Sequence, residues 1–259
     1  MIGEAVWFWL VGWGVCSGLL LLMIPVLMWT KKYHLFDVVW GFGIALSGVV
    51  TVWVQVPSIP TVGMVAMLAI LLWGLRLSGF LFVTRILSGH RDARYDALTA
   101  TSRGVAILKQ WVIQSFLQSV MVLTLFPIMY APHGWSTGSL FGLVLGGTVF
   151  FVGLFFESLA DWQLYHHKQT RSGICQSGLW AYSRHPNYFF ECVVWLGIAG
   201  MLVTLPMGWL ALIGPVLIFC ITYFVTGPFT ERVSHQRRGE AFEAYQNTTS
   251  YFFPRRIIQ

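Results

Sequence analysis

Apolar runs of about 20 residues, each long enough to cross a bilayer, recur about seven times in this chain. They start near Val6, Phe36, Pro60, Val105, Gly138, Phe189 and Pro206. No other feature narrows the fold so far. Inside hydrocarbon a backbone N–H or C=O has no water to bond, so a spanning segment must satisfy its own peptide groups, as a helix does. The expected fold is all-α: a polytopic membrane protein with about seven transmembrane helices and a cytoplasmic C-terminal tail helix. Composition agrees. Only 10% of the 259 residues are charged and 56% are hydrophobic, whereas a soluble domain is about 25% charged. The last two runs are short and joined by Thr-Leu-Pro-Met-Gly, which predicts a tight helical hairpin. Pro228 reads as the end of the last run, with a water-exposed tail after it.

The net charge of +6 is spread in a pattern that belongs to membranes, and no nucleic-acid partner is implied. Lys31 and Lys32 follow the first run. Arg85, Arg91, Arg94, Arg103 and Lys109 surround the gap between the third and fourth. Lys168, Arg171 and Arg184 lie between the fifth and sixth, and Arg232, Arg237, Arg238, Arg255 and Arg256 fall in the tail. The alternate loops carry neither Lys nor Arg. The positive-inside rule then puts the N-terminus outside and the tail in the cytoplasm. The N-terminal run lacks a basic segment before it and is followed by Lys31-Lys32, so it reads as a first membrane helix and not a signal peptide. Cys16, Cys175, Cys192 and Cys220 show no CxxC spacing and are expected to be free thiols.

Charges inside apolar runs are costly, and each is a functional candidate. Asp37, Arg76, Glu157, Asp161, Asn187 and Glu191 all fall in the cytoplasmic halves of runs or at their edges, as if converging on one polar cavity. Paired ions joining helices are the plainer account of any one of them. Glu157 and Asp161 are four apart and share a helix face, and so do Asn187 and Glu191 if a helix starts near Pro186. Lys168, Arg171, Arg184 and His185 stand close in sequence. Carboxylates and an amide suit hydroxyls and amides, and guanidinium suits phosphate. Together they suggest a nucleotide. No GxGxxG or GxxxxGK[ST] motif occurs, and Gly41, Gly43 and Gly48 read as helix-packing positions. His166-His167 lacks the partners a metal site needs, so no metal is expected. Trp53 and Trp73 read first as packing residues, and second as the lining of an apolar pocket. In the tail, Glu231–Tyr245 reads as helical, with Phe242 and Tyr245 on one face.

GLWAYSRHPNYFFE, from Gly178 to Glu191, and the tail pattern GEAFEAYQNTTSYFFP resemble the bacterial-type branch of the steroid 5-alpha-reductase family, also labelled domain of unknown function 1295. The likeness extends over nearly the whole chain, including Asp37-Val-Val-Trp40-Gly41. RHPxY is shared with isoprenylcysteine carboxyl methyltransferases, which have the same helical architecture and bind S-adenosylmethionine. The resemblance implies one integral membrane domain over residues 1–259, with substrate-side helices in 1–135 and a cofactor-binding half in 136–259. It implies NADPH bound from the cytoplasmic side, held by Asn187, Glu191, Asp161 and Lys168, with Arg94 and Tyr95 as a further basic and aromatic pair. Glu157, Arg171, Tyr182, Arg184, His185, Tyr188 and Glu231 complete the expected cofactor set. The reaction implied is reduction of a C=C bond conjugated to a ketone in a lipophilic substrate.

The steroid enzymes hold the ketone with a Gln-Glu pair and a Tyr. The matching places here read Gln55-Val56 and Trp73, so the Glu and the Tyr are missing. Asp37, Tyr33 and Arg76 are the candidates for polarising the ketone, and Trp40, Trp53, Gln55 and Trp73 for lining the substrate site. The alternative is a methyltransferase using S-adenosylmethionine, which would account for RHPNY and Glu231. A bacterial inner membrane fits better than an endoplasmic reticulum. The oligomeric state is left open.

Overall fold

The computed structural model describes residues 2–30, 35–87, 103–134 and 136–255. Among the described residues the chain is helical and has no strand; Ser183 and Ser250 form one isolated parallel bridge. The helices are α1 (Ile2–Thr30), α2 (Leu35–Gln55), α3 (Thr61–Leu81), α4 (Arg103–Val122), α5 (Thr137–Thr170), α6 (Pro186–Leu202), α7 (Ile213–Cys220), α8 (Gly227–Arg238) and α9 (Glu240–Thr248). A π-helical turn, Phe82–Leu87, extends α3, and a 3-10 helix, Leu123–Tyr130, extends α4. Six stretches are long and apolar enough to cross a membrane, and α6 is a shorter apolar helix. The chain is an integral membrane protein of all-α class.

Two expectations are corrected. The last apolar run is not short: it continues from Gly208 to Arg238, through Pro228. Pro228 sits in the first positions of α8, directly after a π-helical turn, Ile221–Thr226. There its missing N–H costs little, because the widened turn has already interrupted the regular ladder. The tail helix predicted over Glu231–Tyr245 is broken at Gly239, whose φ of +50° is a conformation that favours glycine.

The chain packs as two compact units. The first comprises Met1–Leu145 and Ile198–Gly214; the second comprises Gly146–Gly197 and Pro215–Gln259. In the first, α2 and α3 touch through glycine: a Cβ on Gly41 would lie 2.9 Å from the Gly74 carbonyl oxygen. That agrees with the packing role read from the sequence. Pro25 lies inside α1, and a cavity of about 380 Å³ opens beside it, lined by Leu21, Ile24, Met28, Ile107, Leu108 and Trp111.

In the second unit, α5 and α6 run antiparallel in close contact. A Cβ on Gly153 would meet the Val194 backbone nitrogen at 2.6 Å, and one on Gly197 would meet Phe150 Cα at 2.5 Å. Phe156 stacks on Phe190 with centroids 4.9 Å apart. Closeness of this kind is how membrane helices associate when lipid is as apolar as their side chains. Gly197→Ala is therefore expected to destabilise the protein by about 1–3 kcal/mol through overpacking. Gly147→Ala, where a Cβ meets nothing within 4 Å, should be nearly neutral. Thermal unfolding of both variants in one detergent tests the difference.

Candidate functional site

The stretch from Gly178 to Glu191 is a connector clamped at both ends. It opens with a 3-10 turn, Gly178–Ala181, entered through Gly178 at φ +62°. The Leu179 N–H donates to Gln163 Oε1 (3.0 Å), and the Trp180 indole N–H donates to the Ala160 carbonyl (2.9 Å), so the turn is seated on α5. Ser183 Oγ donates to the Phe252 carbonyl (2.7 Å) and accepts from the His185 N–H (3.1 Å). Pro186 then starts α6, where its missing N–H is not needed.

Arg184 and His185 meet the tail. The Arg184 guanidinium donates from Nε to Glu231 Oε1 (2.6 Å) and from one terminal nitrogen to Oε2 (3.2 Å); the other terminal nitrogen reaches the carbonyls of Thr249 (2.5 Å) and Gln246 (3.2 Å). The planar fork of Arg suits this bidentate grip in a way that the point charge of Lys does not. His185 Nε2 lies 3.2 Å from Glu231 Oε1, and Gln246 Nε2 donates to Oε2 (2.9 Å). Tyr251 packs edge-on to His185 and beneath the Arg184 guanidinium. Arg184 and Glu231 keep only 11% and 14% side-chain exposure. Three of the residues expected to touch a cofactor (Arg184, His185 and Glu231) thus form one internal cluster that locks α8 and α9 to the start of α6.

The carboxylate face lies on α5 and α6. Asn187 Nδ2 donates to Asp161 Oδ1 at 3.1 Å, so the two faces expected from helical spacing meet each other. The antiparallel register set by that bond and by the Gly153–Val194 and Gly197–Phe150 approaches brings Glu157 and Glu191 to one level, a turn further along each helix. Both are buried, as is Asp161. On the same face of α5, two turns beyond Asp161, stands Lys168, exposed, with Arg171 also exposed just past the helix end. The face therefore grades from buried carboxylates and an amide to exposed cations over about 17 Å. Tyr188 stacks on His185 (5.2 Å, 3°), and Tyr182 is more exposed.

In the first unit, Asp37 is ion-paired with Arg85, and the Arg76 guanidinium lies 5.7 Å from the Phe80 ring centre. Trp73 is fully buried and Trp40 half-buried, while Gln55 holds its amide nitrogen enclosed. Trp53 is 73% exposed. Tyr33, Arg94 and Tyr95 lie outside the described residues. Among the described residues no cluster of three or more His, Cys, Asp or Glu side chains could hold a metal ion. Sequence reasoning missed Arg85, Gln246 and the carbonyls at Thr249, Ser250 and Phe252. The pairing of Phe242 with Tyr245, both buried, was the one local sign that the tail folds back.

Two tail phenols report on the latch. Tyr245 is buried and donates to the Trp180 carbonyl (2.6 Å), and burial holds its pKa above the ordinary tyrosine range. Tyr251 donates to the Tyr223 carbonyl (2.7 Å); burial first, and the Glu231 charge second, push it up to about 12. The fold favours the neutral phenols, so this stability is fully present below the ordinary value of 10 and is lost as pH rises through about 12. The tail is expected to become sensitive to protease over that interval, in step with late-titrating tyrosine absorbance at 295 nm. Arg184→Gln leaves Glu231 short of its main partner. It is expected to cost about 2–3 kcal/mol, below the full penalty for a buried pair because some exposure remains, and to speed tryptic cleavage near Arg238. Arg184→Lys should recover little of the loss.

A comparison with curated proteins gives no match, and neither does a comparison with solved structures. The family model described as protein of unknown function (DUF1295) matches residues 22–249, which takes in every helix of the second unit and all but the start of the first. The chain belongs to the DUF1295 family.

Proposed function

We propose that this chain is an NADPH-dependent membrane oxidoreductase that reduces a C=C bond conjugated to a ketone in a lipophilic, steroid-like substrate. The observation that carries the reading is the Asn187–Asp161 hydrogen bond, with buried Glu157 and Glu191 level with each other one turn away. In the steroid 5-alpha-reductase family, which the motifs resemble, the matching Asn, Glu and Asp positions contact the dinucleotide. The residues here fit that group chemically. Carboxylates accept from ribose hydroxyls and from a carboxamide, the Asn187 amide can both donate and accept, and Lys168 and Arg171 stand at the exposed end, where phosphate would lie.

NADPH, when bound, supplies the hydride, which adds to the carbon beta to the ketone. The chain's own residues must hold the ketone oxygen as negative charge develops on it, and must keep water out. Asp37, held by Arg85, and Arg76 are the described candidates for that task, with Tyr33 near Asp37 in sequence. A proton then closes the alpha carbon. The apolar cavity beside Pro25 supports a lipophilic ligand. The methyltransferase reading rests on RHPNY and Glu231. It gains nothing from the geometry, because Arg184, His185 and Glu231 are engaged with one another and with the tail. The proposed orientation puts the carboxylate face and tail on the cytoplasmic side, in a bacterial inner membrane.

Calorimetry of the detergent-purified chain is expected to show NADPH binding. Asn187→Ala should weaken it by about tenfold to a hundredfold, the worth of one or two buried hydrogen bonds. Absence of binding to the intact protein would sink the reading. Transfer of a labelled methyl group from S-adenosylmethionine to a lipid extract would replace it with the methyltransferase.

A further inference from the structure

One face of α2 is polar in its C-terminal half. Gly43, Ser47, Thr51 and Gln55 recur every fourth residue, which stacks them on a single face. Ser47 and Thr51 have no exposure at all, and Gln55 keeps its amide nitrogen enclosed. Thr51 Oγ1 and Gln55 Nε2 lack a hydrogen-bond partner, and Ser47 Oγ has none but the weakly bonding thiol of Cys16. Two more groups in the same unit share the condition. Gln118 of α4, whose Oε1 lies against Gly43, is fully buried with that oxygen unpartnered, and so is the hydroxyl of Thr124. The buried Cys16 of α1 stands beside Ser47.

Several other described hydroxyls do not behave this way. Ser115 and Ser119 each donate to the carbonyl three residues back and accept from the indoles of Trp13 and Trp9. Thr84, Thr222 and Thr230 each donate to the carbonyl four residues back. That local bond is open to any helical Ser or Thr, yet Ser47 and Thr51 turn away from it. A buried polar atom left unpaired in an apolar setting is strongly disfavoured. Side chains one helical turn apart are about 5–6 Å apart at Cβ. That is too far for one hydroxyl to bond the next, and it suits a single bridging water between each pair.

We infer that this face of α2 is a water-binding file inside the membrane-embedded first unit. Ser47, Thr51 and Gln55 form one rail, and Gln118, which lies against Gly43 one turn before Ser47, supplies a partner at its end. The file covers about 12 Å of helix from Ser47 to Gln55. Its ligand is water, and a hydrogen-bonded file of water also conducts protons. The inference does not depend on the reductase reading.

The test is X-ray radiolytic footprinting of the purified chain in lipid nanodiscs, with H2(18)O as the probe. Water held in the file generates hydroxyl radical in place, so Cys16 should be oxidised although it has no exposure. The label should be lost in the double variant Ser47→Ala, Thr51→Val. An unlabelled Cys16 in the wild-type chain overturns the inference, and this arm needs no variant to fold. Thermal unfolding of the single variants gives a second arm. Losing a water-bridged hydroxyl should lower Tm by about 2–4 °C. A dry, unpaired hydroxyl replaced by an apolar group would raise Tm, and a rise or no change in both Ser47→Ala and Thr51→Val also overturns the inference.

Discussion

The bidentate pair between Arg184 and Glu231 joins positions 47 residues apart, and much of the second unit is arranged around it. Its oxygens also serve His185 and Gln246, and the spare nitrogen of Arg184 takes two tail carbonyls. The segment after Gly239 is also held by buried Phe242 and Phe252 and by the hydroxyls of Tyr245 and Tyr251, and this set ties it to the start of α6. With it, the connector before α6 is gripped from both sides: by α5 through Gln163 and Ala160, and by the tail through Ser250 and Phe252. The first residues of α6, and with them Asn187, are held in position by that grip. In this sense the ion pair is a positioning device for the carboxylate face and not a member of it.

The helices and their membrane character were legible because bilayer thickness imposes a length on every apolar run, and a length is visible in one dimension. The Asn187–Asp161 contact was legible for a related reason. Helical periodicity puts each residue on a face with its i+4 neighbour, and close glycine-mediated packing brings the two faces together. What could not be read was tertiary pairing between distant segments. Nothing local marks Arg85 as the partner of Asp37, or Gln246 as a partner of Glu231. The roles of Thr249, Ser250 and Phe252 are played by carbonyl oxygens, which every residue has. Pro228 misled for a physical reason: a π-helical turn just before it removes the steric and hydrogen-bonding conflict that makes proline a helix end.

Polar groups are treated in two ways in this protein. In the second unit they are drawn together into dense networks with named partners, as in the Arg184 cluster and the Asn187–Asp161 bond. In the first unit, indoles and back-bonded serines show that buried hydroxyls can be satisfied cheaply, while the face of α2 from Ser47 to Gln55 is left unsatisfied by the protein itself.

The tail is recognised mostly through its main chain, at the carbonyls of Gln246, Thr249, Ser250 and Phe252. This has a consequence for biosynthesis. The helices are delivered to the membrane in order as the chain is made, but the connector ahead of α6 has no second wall until residue 252 has left the ribosome. Glu231 emerges before the carbonyls that share Arg184 with it, those of Gln246 and Thr249. The carboxylate face is completed by some of the last residues described, so a nascent or truncated chain would be inserted in the bilayer yet lack an ordered start to α6, and quality-control proteases would meet it in that state.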